Sequence, residues 1–263
     1  DAPAIKSADI GIALGSGSDV TKETADLVLL DNNFKVIVAA IEQGRIIFDN
    51  IRKVILYLLS NSFAEMVLIA GSIVLGAPMP ILVTQILWIN LITDGLPNLA
   101  IALEPGERGV MADRPRRRNK PLLSRQMKIL IFVIGLIVNF ILLGVFVYLL
   151  RIFSDLDYIR TIIFAALGLN TLFYVFSIRS VRHSIFTQNP FNNKYLNFAV
   201  LTSFIVLFAA IYIPPLQEVF QTVYLRWTEL MFVVAISIIQ IILIELVKYY
   251  FIVKRNKSLS HAE

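Results

Sequence analysis

The 263-residue sequence has no cysteine and only two histidines. Without thiols, disulfide frameworks and thiolate-bound metals are excluded, and the redox compartment is left open. His183 falls in a loop and His261 in a tail, so neither suggests a metal ligand. Charge is scarce as well. Only 16% of the residues are Asp, Glu, Lys or Arg and 57% are hydrophobic, against about 25% and about 45–50% in soluble domains. The apolar excess lies in blocks of twenty or more residues, the length a membrane demands rather than one oversized core. The net charge of +5 does not indicate nucleic acid, because the basic residues sit in loops between the apolar blocks, as orientation signals do. The opening Asp1-Ala2-Pro3-Ala4 has neither a basic segment nor a cleavage pattern. It does not read as a signal peptide, and the expectation is a piece of a longer chain.

Residues 1–33 are the one stretch that reads as soluble α/β. The apolar runs Ile10 to Gly15 and Asp26 to Leu30 suit buried strands of a parallel sheet. Between them, Gly15-Ser16-Gly17-Ser18-Asp19 can cap a helix over 20–25. Thirty-three residues bury too little to fold alone, so they belong to a larger domain. From Phe34 a helical pattern begins, capped by Asp31, Asn32 or Asn33, with Ile37, Ala40, Ile41, Ile47, Ile51 and Leu58 in register and no proline inside. Residues 34–53 form a stalk that continues unbroken into the first span.

Six spans are expected, over 54–75, 81–103, 129–150, 158–178, 195–213 and 230–251, each long enough to cross the hydrocarbon core. The loop from Glu104 to Lys128 is rich in Arg and Lys, Arg179, Arg182 and Lys194 follow in another, and Lys248, Lys254, Arg255 and Lys257 lie at the end. The loops between these are poor in basic residues. The alternation places both termini, including the tail 252–263, in the cytoplasm, with lipid as the surrounding partner. Apart from orientation, the basic run 114–120 has one further reading, a lipid-headgroup or regulatory contact.

The informative residues are polar ones at membrane depth. A charge at the bilayer centre costs at least about 2.5–3.5 kcal/mol, so it marks an ion or substrate path. The first span has Asn61, Ser62 and Glu65; the second has Asn90, Thr93 and Asp94. Spacings of three and four put each set on one helical face. Pro97 has no N–H for the carbonyl of Thr93, so the second span is expected to unwind near Asp94 and Gly95. Carboxylate, amide, hydroxyl and freed carbonyl oxygens suit a hard cation such as Ca²⁺. A structural ion pair is the plainer reading, but no Lys or Arg lies in the interior of any span. Gln85, Asn98, Asn139, Asn170, Thr171 and Gln240 read as hydrogen-bonding contacts between helices, and Glu245 as a partner of Lys248.

Asp1-Ala2-Pro3-Ala4-Ile5-Lys6-Ser7-Ala8-Asp9-Ile10-Gly11-Ile12-Ala13 resembles the continuation of the hinge motif TGDGVNDAPAL of P-type ATPases. Trp88-Ile89-Asn90-Leu91-Ile92-Thr93-Asp94-Gly95-Leu96-Pro97 and Tyr57-Leu58-Leu59-Ser60-Asn61-Ser62-Phe63-Ala64-Glu65 resemble the sixth and fifth membrane helices of the calcium-pumping subfamily. The resemblance covers the whole chain. It implies a mainly α, polytopic membrane protein: a six-helix transmembrane bundle preceded by a short α/β remnant of a haloacid-dehalogenase-like phosphorylation domain. It also implies that Asp1 matches the second hinge aspartate, that Glu65, Asn90, Thr93 and Asp94 match ligands of a transported cation, and that Ser62 stands where the sarcoplasmic reticulum pump has an asparagine. The fourth span places Gly168 near that pump's glutamate. Both departures weaken one of two sites, so the expectation is one Ca²⁺ exported per cycle in exchange for protons, across the plasma membrane.

ATP, Mg²⁺, the phosphorylated aspartate, the actuator and nucleotide-binding domains and four preceding membrane helices would belong to the rest of the same pump. By itself this stretch would neither hydrolyse ATP nor transport. A Na⁺, H⁺, Mg²⁺ or Mn²⁺ pump stays open as an alternative, and from a different class a passive channel or a non-catalytic membrane subunit.

Overall fold

The computed structural model describes residues 1–31, 33, 35–107, 109–112, 115, 121–179 and 189–250. Phe34 at the expected stalk start, the loop residues Arg108, Arg114, Arg116, Arg117, Arg118 and Lys120, and Arg182, His183 and the tail 252–263 lie outside the described residues. The chain divides into two compact units, Asp1–Phe48 with Gly106–Pro115, and Asp49–Pro105 with Arg116–Glu263.

In the first unit, helix α1 (Ala2–Ser7) precedes strand β1 (Ile12–Leu14), helix α2 (Asp19–Thr24) and strand β2 (Leu27–Leu29). The strands pair in parallel, with Ile12 opposite Leu27 and Leu14 opposite Leu29. Parallel neighbours need a crossover, and α2 supplies it. Ser18 caps α2 by accepting from the Thr21 N–H. The Asp26 carboxylate accepts from the Gly11 N–H at 2.8 Å, closing the start of both strands. Of the two runs read as buried strands, Ala13 and Leu29 are buried while Ile10 and Leu30 are exposed. The helix α3 (Lys35–Val74) begins where Asn33 accepts from the Lys35 N–H at 3.0 Å, the capping position expected of it.

The helix α3 runs for 40 residues without a break, and residues 49–74 belong to the second unit. It ends in a tight C-terminal turn. Gly76 adopts φ +65°, its N–H donates to Ile73, and the Ala77 N–H donates back to Ser72. These two hydrogen bonds satisfy carbonyls that would otherwise be orphaned, and the turn requires a residue tolerant of the left-handed region.

The return limb is a rod in three pieces: α4 (Val83–Trp88), a π-helical turn (Ile89–Asp94) and α5 (Gly95–Ala102). The helices α6 (Arg125–Ile152), α7 (Leu156–Ile178), α8 (Lys194–Tyr212), the short α9 (Pro214–Phe220) and α10 (Trp227–Lys248) follow. Among the described residues, four helices (α3, α7, α8 and α10) are long and apolar enough to cross a membrane, and α6 carries a shorter apolar stretch, Asn139–Ile152.

Helix α7 is buried along almost its whole length, and α10, α8, α6 and the π turn all pack on it. Two hydrophobic clusters fill the second unit. One gathers Leu68, Ile89, Leu142, Phe146 and Ile163; the other gathers Leu56, Tyr57, Ala100, Met127, Val175 and Leu196. Along both α3 and the rod, the polar residues at 60–65 and 90–94 fall between these clusters. Lipid tails are as apolar as leucine, so burial does little to choose which helix face meets which. Interhelical hydrogen bonds at about 0.6–2 kcal/mol each are what select the contacts. Gln85 is one such contact. Its Oε1 accepts from the Leu82 N–H at the start of α4 (3.1 Å), and its Nε2 donates to the Phe220 carbonyl at the end of α9 (2.9 Å).

Candidate cation site

The π turn sits where the sequence led us to expect unwinding, and the backbone explains the difference. Pro97 leaves the Thr93 carbonyl without its usual donor. The Tyr57 hydroxyl takes that role at 3.3 Å and also donates to the Thr171 carbonyl at 3.1 Å. One residue earlier, the Ser203 hydroxyl donates to the Ile92 carbonyl at 2.9 Å. Thr93 Oγ1 donates to the Ile89 carbonyl at 2.8 Å. With these acceptors satisfied by side chains from α3, α8 and the turn itself, the rod widens by one residue instead of opening. Such wide turns frequently mark functional segments.

Glu65 and Asp94 lie on facing elements, each held by an amide from the opposite side. Asn61 of α3 donates to Asp94 Oδ1 at 3.1 Å, and Asn90 of the turn donates to Glu65 Oε2 at 3.2 Å. Four residues up α3, from 61 to 65, the partner moves four residues down the rod, from 94 to 90. That reciprocity is what antiparallel helices in register produce. Asp94 and Thr93 are fully buried, Asn61 nearly so, Glu65 is half-buried, and Asn90 and Ser62 are exposed. Among the described residues, neither carboxylate pairs with a Lys or Arg, in keeping with the lack of basic residues inside the spans.

Of the residues singled out from sequence, the structure pairs Asn90 with Glu65 and Asn61 with Asp94, while the Thr93 hydroxyl bonds its own turn at Ile89. Asn61 turns out to be the α3 amide beside Asp94. Ser62 is exposed one position away. Asp1 is an exposed residue at the N-cap of α1 whose side chain makes no capping bond. At Gly168 a Cβ would lie 2.7 Å from Leu207 of α8, so the glycine serves close helix approach. The α7 residue at the turn is Thr171, whose carbonyl shares the Tyr57 hydroxyl. The signal for it was present, as a hydroxyl residue in an apolar helix, but helical spacing alone does not say which face meets Asp94.

The other polar residues divide. Thr171 Oγ1 donates to Gly168 and Asn139 Nδ2 to Gly135, both within their own helices. Both amide atoms of Asn98 are buried without a protein partner among the described residues, as is Asn170 Oδ1. Glu245 does pair with Lys248, at 3.1 Å, but the pair is buried and also engages α7: Ser177 Oγ donates to Glu245, and Lys248 donates to the Ser177 carbonyl at 2.7 Å. No three His, Cys, Asp or Glu side chains gather among the described residues. A cation at Glu65 and Asp94 would therefore complete its shell with amide, hydroxyl or carbonyl oxygens, the donor set of a hard ion.

A mostly helical chain with several helices long and apolar enough to cross a membrane defines an integral membrane protein. Residues 78–250 match the family model described as "Cation transporting ATPase, C-terminus", and the chain belongs to that family. It is similar to a "Calcium-transporting ATPase" of Bacillus subtilis, 41% identical over 241 residues, covering 91% of this chain and 27% of that protein. It is also similar to the human "Calcium-transporting ATPase type 2C member 1" (36% identity, 94% of this chain, 27% of that protein). A third relative is the "Endoplasmic reticulum calcium ATPase srcA" of Aspergillus fumigatus (34% identity, 95% and 29%). The chain thus spans under a third of the length of these relatives.

Proposed function

We propose that the chain is the C-terminal transmembrane region of an ATP-driven P-type Ca²⁺ pump, with the transported ion bound between α3 and the π turn. The observation that carries this reading is the reciprocal pairing of Asn61 with Asp94 and of Asn90 with Glu65, which sets two carboxylates on neighbouring elements with no Lys or Arg paired to either among the described residues. In the reading, Glu65 and Asp94 supply the charge, and Asn90, Asn61 and Thr93 supply oxygen atoms when their hydrogen bonds are exchanged for the ion. The relatives' names support calcium over Na⁺, H⁺, Mg²⁺ or Mn²⁺.

The finer reading has six spans, with both ends on the cytoplasmic side of the plasma membrane. Residues 1–33 are then the end of a phosphorylation domain, where Asp1 supports a Mg²⁺ site. ATP phosphorylates an aspartate elsewhere in the same protein. The uninterrupted helix α3 carries the resulting shift to Glu65, and protons return on the emptied carboxylates. With Ser62 in place of an amide and Gly168 packed on Leu207, one Ca²⁺ moves per cycle.

The test is phosphoenzyme formation from ATP by the full-length protein, titrated separately with Ca²⁺, Mn²⁺, Na⁺ and Mg²⁺. Ca²⁺ dependence is expected, and Asp94→Asn or Glu65→Gln should abolish it while phosphorylation from inorganic phosphate persists. Phosphoenzyme that ignores Ca²⁺ would overturn the ion assignment. Radiolabelled Ca²⁺ bound per phosphorylation site should be near one; a ratio near two rejects the single-ion reading.

A further inference from the structure

At the end of the rod beyond the candidate site lies a second buried polar cluster, built around Glu104. Arg179, the residue following α7, donates to Glu104 Oε1 from both Nε and Nη2 at 2.9 Å. Asn193, which caps α8, donates from Nδ2 to Glu104 Oε2 at 2.6 Å and to the Ala100 carbonyl at 3.1 Å. Asn50 of α3 donates to the Glu104 carbonyl at 2.7 Å and the Ala102 carbonyl at 3.3 Å. Glu104, Arg179, Asn193 and Asn50 are all buried, none more than 6% exposed. A two-pronged guanidinium–carboxylate contact with its remaining acceptor also filled is geometrically demanding, and in a low-dielectric setting it tolerates little displacement.

Ala100 lies six positions after Asp94, and α5 joins them without interruption. At the top of α5 Pro97 offers the Thr93 carbonyl no α-helical donor, so the turn bearing Asp94 draws on contacts from outside the rod, the Tyr57 hydroxyl among them. We infer that Glu104, Arg179 and Asn193 are positioning residues for cation binding: they pin the end of α5 to α7 and α8, and thereby set how Asp94 meets α3. None of the three touches the ion; they act through α5. The inference rests on the proposed site at Asp94, and it names the contacts that hold that site in register.

The experiment uses the full-length pump in native membranes, with two readouts. One is the Ca²⁺ concentration giving half-maximal phosphoenzyme from ATP; the other is the number of sites phosphorylated by inorganic phosphate, which counts folded protein. Asn193→Ser keeps an N-cap for α8 but is too short to reach Ala100 and Glu104. It should raise the half-maximal Ca²⁺ concentration about three- to tenfold, the equivalent of one lost charge-assisted hydrogen bond, with the site count unchanged. Glu104→Gln should shift it further, and Glu104→Gln combined with Arg179→Met should recover part of the site count by removing the stranded guanidinium. An unchanged half-maximal concentration in Asn193→Ser, with Glu104→Gln lowering only the site count, would overturn the inference and leave a merely structural cluster. Should the unsubstituted pump respond to another cation, the calcium assignment falls, and the same variants decide the positioning role with that ion.

Discussion

Tyr57 ties the backbone of the candidate site to α7. Its ring is fully buried and stacks on Tyr174 at 5.9 Å, and its one hydroxyl serves two carbonyls on two other elements. Replacing it with Phe keeps the packing and strands the Thr93 carbonyl, which Pro97 has already deprived of a helical donor. An unsatisfied buried carbonyl costs about 1–3 kcal/mol. Tyr57→Phe should therefore lower the thermal midpoint of the detergent-solubilised full-length protein and weaken the proposed Ca²⁺ dependence. Ser62→Ala, at an exposed position, should do neither.

Asn61 shows where sequence reasoning stopped at this scale. Both Asn61 and Ser62 stand one turn before Glu65, and the family resemblance drew attention to Ser62. Only the rotation of α3 against the rod shows that Asn61 is the one bonded to Asp94.

Among elements, the helices were legible and their junctions were not. Apolar length marked α3, α7, α8 and α10, capping residues marked the start of α3, and the two short strands with their crossover helix followed from glycine punctuation. The π turn was misjudged as an opening because the helical rule for Pro97 is local, whereas the donors that rescue Thr93 and Ile92 come from residues 57 and 203. Arg179 was read as a loop residue that orients the chain and Glu104 only as the start of a loop, since 75 positions separate them and nothing local pairs them. Glycines illustrate the same point with a measurable contrast. A methyl at Gly44 meets nothing within 4 Å, whereas one at Gly168 meets both Leu207 methyl groups at 2.7 Å. Gly44→Ala should stabilise α3 by about 0.5–1 kcal/mol through lost backbone freedom. Gly168→Ala should destabilise by about 1–3 kcal/mol, as overpacking does. Thermal unfolding of the two variants side by side would read the opposite signs.

For the whole molecule, the proposed coupling runs along α3. A helix transmits displacement only while its hydrogen-bond ladder is continuous, and both ends must have discrete alternatives. A flexible Gly-Ser insertion after Gly44 should leave ATP hydrolysis in the full-length protein while Ca²⁺ uptake into vesicles falls towards background. Uptake that keeps pace with hydrolysis would refute α3 as the connection.

Gln85 carries a separate consequence for how the membrane part assembles. Its oxygen decides where the rod begins, and its nitrogen decides that the rod lies against α9. Nucleating the return limb and docking it are thus one event rather than two. A glutamate at 85 would keep the first function and forfeit the second, giving a correctly started helix held beside α9 only by apolar contacts such as that of Trp88 with Phe220.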